Sequence, residues 1–140
     1  MAAVRLKRDE VCDLIAKAPI FSHASKSDLR HIAAIADVVD LPAGKALTRE
    51  GEIGREFAVI VSGCVEVRRH GRKLRMLGSG DWLGEIALLT GAPRTATATT
   101  KEPTRVILIR GGMFRGLLER SPRLAYRVLE RVAGLVPGSD

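Results

Sequence analysis

Apolar residues along this 140-residue chain fall into three textures. Val11, Leu14, Ile15 and Ala18 recur at helical spacing and predict a first helix that Pro19 stops. Leu29, Ile32, Ala33 and Ala36 form the stripe of a second helix, with Ser25 as its cap and Asp28 in its first turn. From Asp37 to about Ile109 the pattern changes to short strands divided by glycine. Phe57 to Val61 is a continuous apolar run, fit for a strand buried on both faces. Val65 and Val67 then alternate with Glu66 and Arg68, His70-Gly71 closes a hairpin, and Leu74, Met76 and Leu77 resume. Arg94 to Thr99 and Arg105 to Ile109 read as further strands, and many short strands with glycine turns suggest a jelly roll or barrel. The end is helical again. Met113, Phe114, Leu117 and Leu118 share one face, Ser121-Pro122 restarts a helix, and Leu124, Ala125, Val128, Leu129, Val132 and Leu135 continue it up to Pro137-Gly138.

Length and composition narrow the picture. The chain is one domain's worth, 46% hydrophobic and 28% charged, with no internal repeat and no low-complexity tract. Lysine and arginine number 23 against 16 acidic residues, a net charge of +7 that raises the question of nucleic acid. The basic residues are scattered, and their densest cluster, Arg68-Arg69-His70-Gly71-Arg72-Lys73, falls on the expected hairpin tip and reads as a solvated surface. Aromatics at 4% argue against a base-stacking platform. Cys12 and Cys64 have neither metal nor redox spacing and are expected as reduced core residues. No apolar run is long enough to span a bilayer, and Met1 to Arg8 lacks the apolar core of a signal peptide, so a cytoplasmic location is expected.

The richest chemistry lies in residues 83–96, Leu-Gly-Glu-Ile-Ala-Leu-Leu-Thr-Gly-Ala-Pro-Arg-Thr-Ala. Gly84 and Glu85 head one apolar helical turn, whose first N–H groups and positive dipole end suit an anion. Arg94 can fork onto two phosphate oxygens, and the neighbouring Thr95 can add a third hydrogen bond. Glu85 would repel a phosphate, so it must face a neutral donor such as a ribose hydroxyl. The combination suits a small anionic sugar phosphate.

At these residues the chain resembles the cyclic nucleotide-binding domains of bacterial cyclic-AMP receptor proteins, protein kinase regulatory subunits and cyclic nucleotide-gated channels. Leu83 to Ala96 follow that family's phosphate-binding cassette without a gap, and Glu50 to Val67 look like its strand pair with glycine-held turns. The resemblance implies a mainly β fold with flanking α: an eight-stranded β jelly roll (double-stranded β-helix) with N-terminal helices, a short cassette helix and two C-terminal helices. One domain, 1–140, would divide into N-terminal helices (1–36), a β-roll (37–109) with the cassette at 83–96, and hinge and lid helices (110–136). It further implies that Arg94 pairs with the cyclic phosphate and Glu85 accepts from the ribose 2′-hydroxyl. Backbone N–H groups near Gly84, Ile86 and Ala87 complete the cradle, with Thr95 and Ala96 following. Thr95 touches the phosphate or the purine. Val65, Val67, Leu74 and Leu83 are candidates for the apolar wall under sugar and base.

The implied ligand is cyclic AMP, with cyclic GMP as the second candidate, and no cofactor is expected. A hydroxyl at position 95 occurs in binders of either nucleotide. The C-terminal helices are expected to relay occupancy, with Tyr126, Arg127 and Arg131 as lid contacts and a hinge near Met113-Phe114, loosened by Gly111-Gly112. His23, His31 and His70 are dispersed, no nucleophile with a partnering base is visible, and neither metal nor catalysis is expected. No helix-turn-helix follows the last helix, so no DNA-binding motif is expected, and a standalone sensor acting on an effector protein is the expected setting. The alternative is a ligand-silent domain that acts as an interaction scaffold through its basic surface.

Overall fold

The computed structural model describes residues 2–84 and 91–133. Helix α1 covers Arg8–Ala16 and buries Val11 and Ile15. A 3-10 turn, Pro19–Phe21, follows, where the proline bars further α-helix. Helix α2 (Lys26–Ile35) starts on a reciprocal cap. Asp28 N–H donates to Ser25 Oγ at 3.0 Å, and Ser25 N–H donates to Asp28 Oδ2 at 3.2 Å, so two otherwise open donors are satisfied. Ala36, expected on the stripe of α2, is instead the first residue of a strand.

The strands are β1 (Ala2–Ala3), β2 (Ala36–Leu41), β3 (Ala46–Thr48), β4 (Glu56–Ser62), β5 (Val65–Arg69), β6 (Arg72–Leu77), β7 (Trp82–Leu83), β8 (Thr97–Thr100) and β9 (Thr104–Arg110). They form one sheet in the order β1-β2-β9-β4-β7 and a second in the order β3-β8-β5-β6, the two layers of the jelly roll. The described strands exceed the expected eight by one. The addition is β1, two alanines without any pattern of their own, ordered by pairing with Val39 and Asp40.

Strand β4 explains why its sequence is apolar without interruption. Phe57 and Val59 join Ile15, Phe21, Ile32 and Phe114 in a core between the first sheet and the helices. Ala58 and Ile60 point the other way, into a core shared with Val65, Val67, Leu83 and Ala98 between the sheets. Strand β9 repeats the arrangement, with Ile107 and Ile109 on the helix side and Val106 on the inner side. Where β2 and β9 pair Asp40 with Arg105, the guanidinium makes a two-pronged contact of 2.8 and 3.2 Å. The Arg105 hydrogen bond holds the Asp40 carboxyl below the ordinary aspartate value against a smaller opposing effect of burial.

Strands β5 and β6 are joined by His70-Gly71, both with positive φ (52° and 76°), the geometry of the two-residue hairpin turn. Helix α3 (Gly111–Arg120) follows β9 directly, and α4 (Pro122–Ala133) follows α3. The Phe114 ring stacks on Phe57 with centroids 4.4 Å apart and planes 8° from parallel, which fastens α3 to β4.

Three expectations are corrected. Met113, expected on the buried face of α3, is 45% exposed, because Phe114 and Leu117 define the inward stripe. Leu129, expected on the stripe of α4, is 57% exposed, while Leu124 faces inward. Cys12 and Cys64 are free thiols but half-buried, with the Cys12 thiol 3.8 Å from the Leu29 carbonyl, so neither sits in the core. The expected cassette helix, at residues 85–90, and Leu135 with Pro137-Gly138 lie outside the described residues. Among the described residues no helix is long and apolar enough to cross a membrane.

Phe114→Ala empties the contact that joins α3 to β4 and is expected to cost about 3–5 kcal/mol, as buried phenylalanine truncations do. Ser25→Ala removes one cap and is expected to cost only about 1 kcal/mol. Denaturant midpoints of the two variants give the comparison, and equal losses would contradict this account of the core.

Candidate functional site

Residues 49–54 form a loop laid against residues 93–97. Arg94 N–H donates to the Glu52 carbonyl at 2.7 Å, Gly51 N–H donates to the Arg94 carbonyl at 2.9 Å, and Ile53 bridges Pro93. Glu50 N–H donates to Thr97 Oγ1 at 3.0 Å. From this backbone Arg94 extends across the start of β4, where Nη2 donates to the Glu56 carbonyl at 2.6 Å.

Two glycines make the slot that holds the guanidinium. At Gly54 a methyl group would collide with Nε and Cζ of Arg94. At Gly84 it would lie 2.5 Å from Nη1 and 2.7 Å from the Glu56 carbonyl. Gly84 also has φ +101°, a conformation that L side chains rarely adopt. Gly54 needs no special φ, so it is glycine for room alone. Beside the slot lies a cavity of about 120 Å³, lined by the apolar residues Leu41, Ala46, Leu47, Ala58, Leu83 and Leu108 and by Lys45, Thr48, Glu56 and Arg94. A partly apolar cavity with a fixed guanidinium in its wall is suited to an amphipathic anion.

The expected site residues sort clearly. Leu83, Val65 and Val67 are buried in the inner core, and Ala96 is packed against it. Thr95 is exposed, and its carbonyl accepts from Arg69 Nε at 3.0 Å. Gly84 and Arg94 touch, as described above. Glu85, Ile86 and Ala87 lie outside the described residues.

Leu74 does not join the apolar wall. It is 50% exposed and belongs to neither core. The cause is a register shift. The two-residue turn pairs Arg69 with Arg72 and Arg68 with Lys73, which would set Leu74 opposite Val67. A bulge intervenes, Val67 pairs with Arg75 and Val65 with Leu77, and Leu74 is left without a cross-strand partner. Residues directly opposite share a face, so Arg75 lies on the Val67 side of the sheet. No sequence signal announces the bulge, and Arg75 was not among the expected residues. Gly54 was also missed, because it reads as one more turn glycine and its reason is a contact with a residue forty positions away.

The lid candidates lie elsewhere. Tyr126 is 59% exposed, and Arg127 donates to Ser22 Oγ at 3.3 Å and pairs with Glu130 at 3.6 Å. Neither lines the cavity at Arg94, because Leu124 sets the face that α4 turns inward. The side chain of Arg131 is outside what is described. Gly111 and Gly112 form the first turn of α3, and Gly111 N–H donates to the Arg55 carbonyl at 2.8 Å. Among the described residues no cluster of three or more His, Cys, Asp or Glu could hold a metal ion.

Comparison with known proteins gives a consistent family. Residues 38–121 match a family model described as the cyclic nucleotide-binding domain. A cyclic nucleotide-gated potassium channel of Rhizobium etli is 31% identical over 125 residues, covering 86% of this chain and 35% of its own length. A CRP-like cAMP-activated global transcriptional regulator of Mycobacterium tuberculosis is 29% identical, covering 86% of this chain and 56% of its own length. The chain therefore spans about half or less of these relatives. Among solved structures, the sensor domain of the transcriptional regulator DNR from Pseudomonas aeruginosa superposes with a TM-score of 0.78 at 22% identity, covering 91% of this chain and 89% of that one. The regulatory domain of Toxoplasma gondii PKA, crystallised with cAMP, gives 0.71 at 24% identity over 79% and 44% of the two chains.

Because the slot is shaped by what fills it, Gly54→Ala is expected to destabilise the fold by about 1–3 kcal/mol through overpacking against the guanidinium. In an Arg94→Ala background the same substitution should cost only a few tenths. A double-mutant cycle on denaturation midpoints checks this, and additive losses would show that the two residues do not share the slot.

Proposed function

The chain belongs to the cyclic nucleotide-binding domain family, and we propose on that premise that it is a sensor module that holds a cyclic nucleotide at Arg94. The single observation that carries the reading is the guanidinium fixed between Gly54 and Gly84 in the wall of a cavity lined largely by apolar residues. A cyclic phosphodiester carries one negative charge, which one arginine balances. A charge-assisted hydrogen bond contributes about 1.5–3 kcal/mol, so loss of Arg94 costs about one to two decades of affinity. In this reading Glu85 accepts from the ribose 2′-hydroxyl, and N–H groups near Gly84, Ile86 and Ala87 meet the phosphate with Thr95 beside them. Val65, Val67, Leu83 and Ala96 supply the apolar floor. The module binds and does not catalyse.

Cyclic AMP is the first ligand, in keeping with the cAMP-bound regulatory domain of Toxoplasma gondii PKA among similar structures. Cyclic GMP is the second reading, and Arg75 favours it. From the Val67 face a guanidinium can fork onto guanine O6 and N7, whereas adenine presents a donor where guanine presents O6.

The output passes through the C-terminal helices to an effector protein. Two successive carbonyls support that route. Arg55 C=O accepts from the first N–H of α3, and Glu56 C=O accepts from Arg94. A phosphate that draws on the guanidinium thus pulls on the peptide unit next to the one anchoring α3.

A thermal shift with cyclic AMP, cyclic GMP and 5′-AMP tests the site. A ligand at a hundredfold over its Kd adds about 2.7 kcal/mol of stability. The cyclic nucleotides should raise the unfolding temperature, 5′-AMP should not, and Arg94→Ala should cut the stabilisation to about 0.4–1.4 kcal/mol at the same concentration. Arg75→Ala should weaken cyclic GMP more than cyclic AMP. A wild-type protein indifferent to both cyclic nucleotides at millimolar concentration leaves the scaffold alternative in place of this one.

A further inference from the structure

The hairpin of β5 and β6 gives Val65, Val67 and Arg75 to the proposed nucleotide site, but most of its charge lies outside that site, and it is the most strongly charged part of the surface. Between Val65 and Leu77 it carries Arg68, Arg69, Arg72, Lys73 and Arg75 against one acid, Glu66. That acid is already engaged: Arg68 Nε bonds to it, and Lys101 and Lys73 add to the positive field on it. Strand β6 is the edge of its sheet, so among the described residues one side of its backbone has no strand partner. Five of its six residues are exposed, and two of them, Leu74 and Met76, are apolar, at 50% and 40%.

The edge is held in place from below. Arg69 Nε donates to the Thr95 carbonyl, His70 N–H donates to Glu50 Oε1 at 2.9 Å, and His70 Nδ1 lies 3.0 Å from Oε2 of the same carboxylate. With the tight turn, these contacts fix the hairpin before any partner arrives, which lowers the ordering cost of docking.

We infer that β6 is a docking edge for an extended, acidic segment of a partner protein, laid beside it as an added strand. Unpaired backbone groups provide the ladder, Arg72 and Lys73 meet carboxylates, and Met76 with Leu74 receives apolar side chains between them. Three alternatives fit less well. A second copy would set like charges edge to edge, which costs energy. Nucleic acid would meet the charges but find no aromatic on this hairpin to stack on, and no use for Leu74 and Met76. Charges that only keep strands apart would need no exposed apolar pair among them.

The test uses the full chain and a fluorescent ten-residue peptide alternating glutamate and valine, with a lysine–valine peptide and a single-stranded oligonucleotide as controls. Anisotropy should show binding of the acidic peptide only. The Arg72→Glu/Lys73→Glu variant should weaken it at least tenfold while keeping its thermal shift with cyclic nucleotide, which shows that the barrel is intact. Amide exchange of residues 72–77 should slow when the peptide binds, as an added strand requires and diffuse charge attraction does not. No binding of the peptide, binding indifferent to charge reversal, unchanged exchange, or tighter capture of the oligonucleotide would each overturn the inference. Should wild type and variant alike lack the thermal shift, circular dichroism replaces it as the folding control, and the peptide result stands apart from the nucleotide reading.

Discussion

Position, more than charge, is what the fold gives to Arg94. A free arginine side chain samples many rotamers, and fixing it costs about 2 kcal/mol. Here that cost is met in the folded protein: Nη2 is bonded to the Glu56 carbonyl, the Arg94 backbone is paired with Gly51 and Glu52, and Gly54 and Gly84 flank the guanidinium. Any side chain at position 54 or 84 would occupy the same space. The glycines are therefore part of the site although neither contributes a functional group.

The same stretch of chain ties the slot to the rest of the molecule. Glu56 opens β4, whose next residue, Phe57, is buried against the Phe114 ring of α3. Ala58, one residue further, lines the cavity beside Arg94. Three successive positions thus face the guanidinium, the helical layer and the hollow. A strand buried on both faces makes such a connection possible, because its alternation puts neighbouring residues into two different cores.

What could be read from the sequence follows from how local its causes are. The cap of α2 is a contact between Ser25 and Asp28, three residues apart, and it was legible. The turn at His70-Gly71 and the apolar run of β4 were legible for the same reason. Arg94 stood out because its neighbours make a long, specific pattern. Gly54 did not, since its cause is a steric contact across the fold. The bulge at Leu74 exchanged the expected apolar residue for Arg75 on the Val67 face, and one unpaired residue suffices to reverse every inward position beyond it. Met113 and Leu129 failed for a related reason: helical spacing marks apolar positions, but partners decide which are covered.

For a binding domain to relay occupancy, its ligand must favour one arrangement over another, and magnitudes limit how. Moving a two-state equilibrium from 1:99 to 99:1 takes about 5.5 kcal/mol of differential binding. A charge-assisted bond to one arginine supplies about 1.5–3 kcal/mol even if all of it is realised in one state. The Arg94 bond alone therefore cannot throw such a switch. Further contacts to the phosphate, sugar or base must add a comparable amount in the same state. On this arithmetic a single guanidinium suits recognition of an anion, and a switch would need more than that one contact.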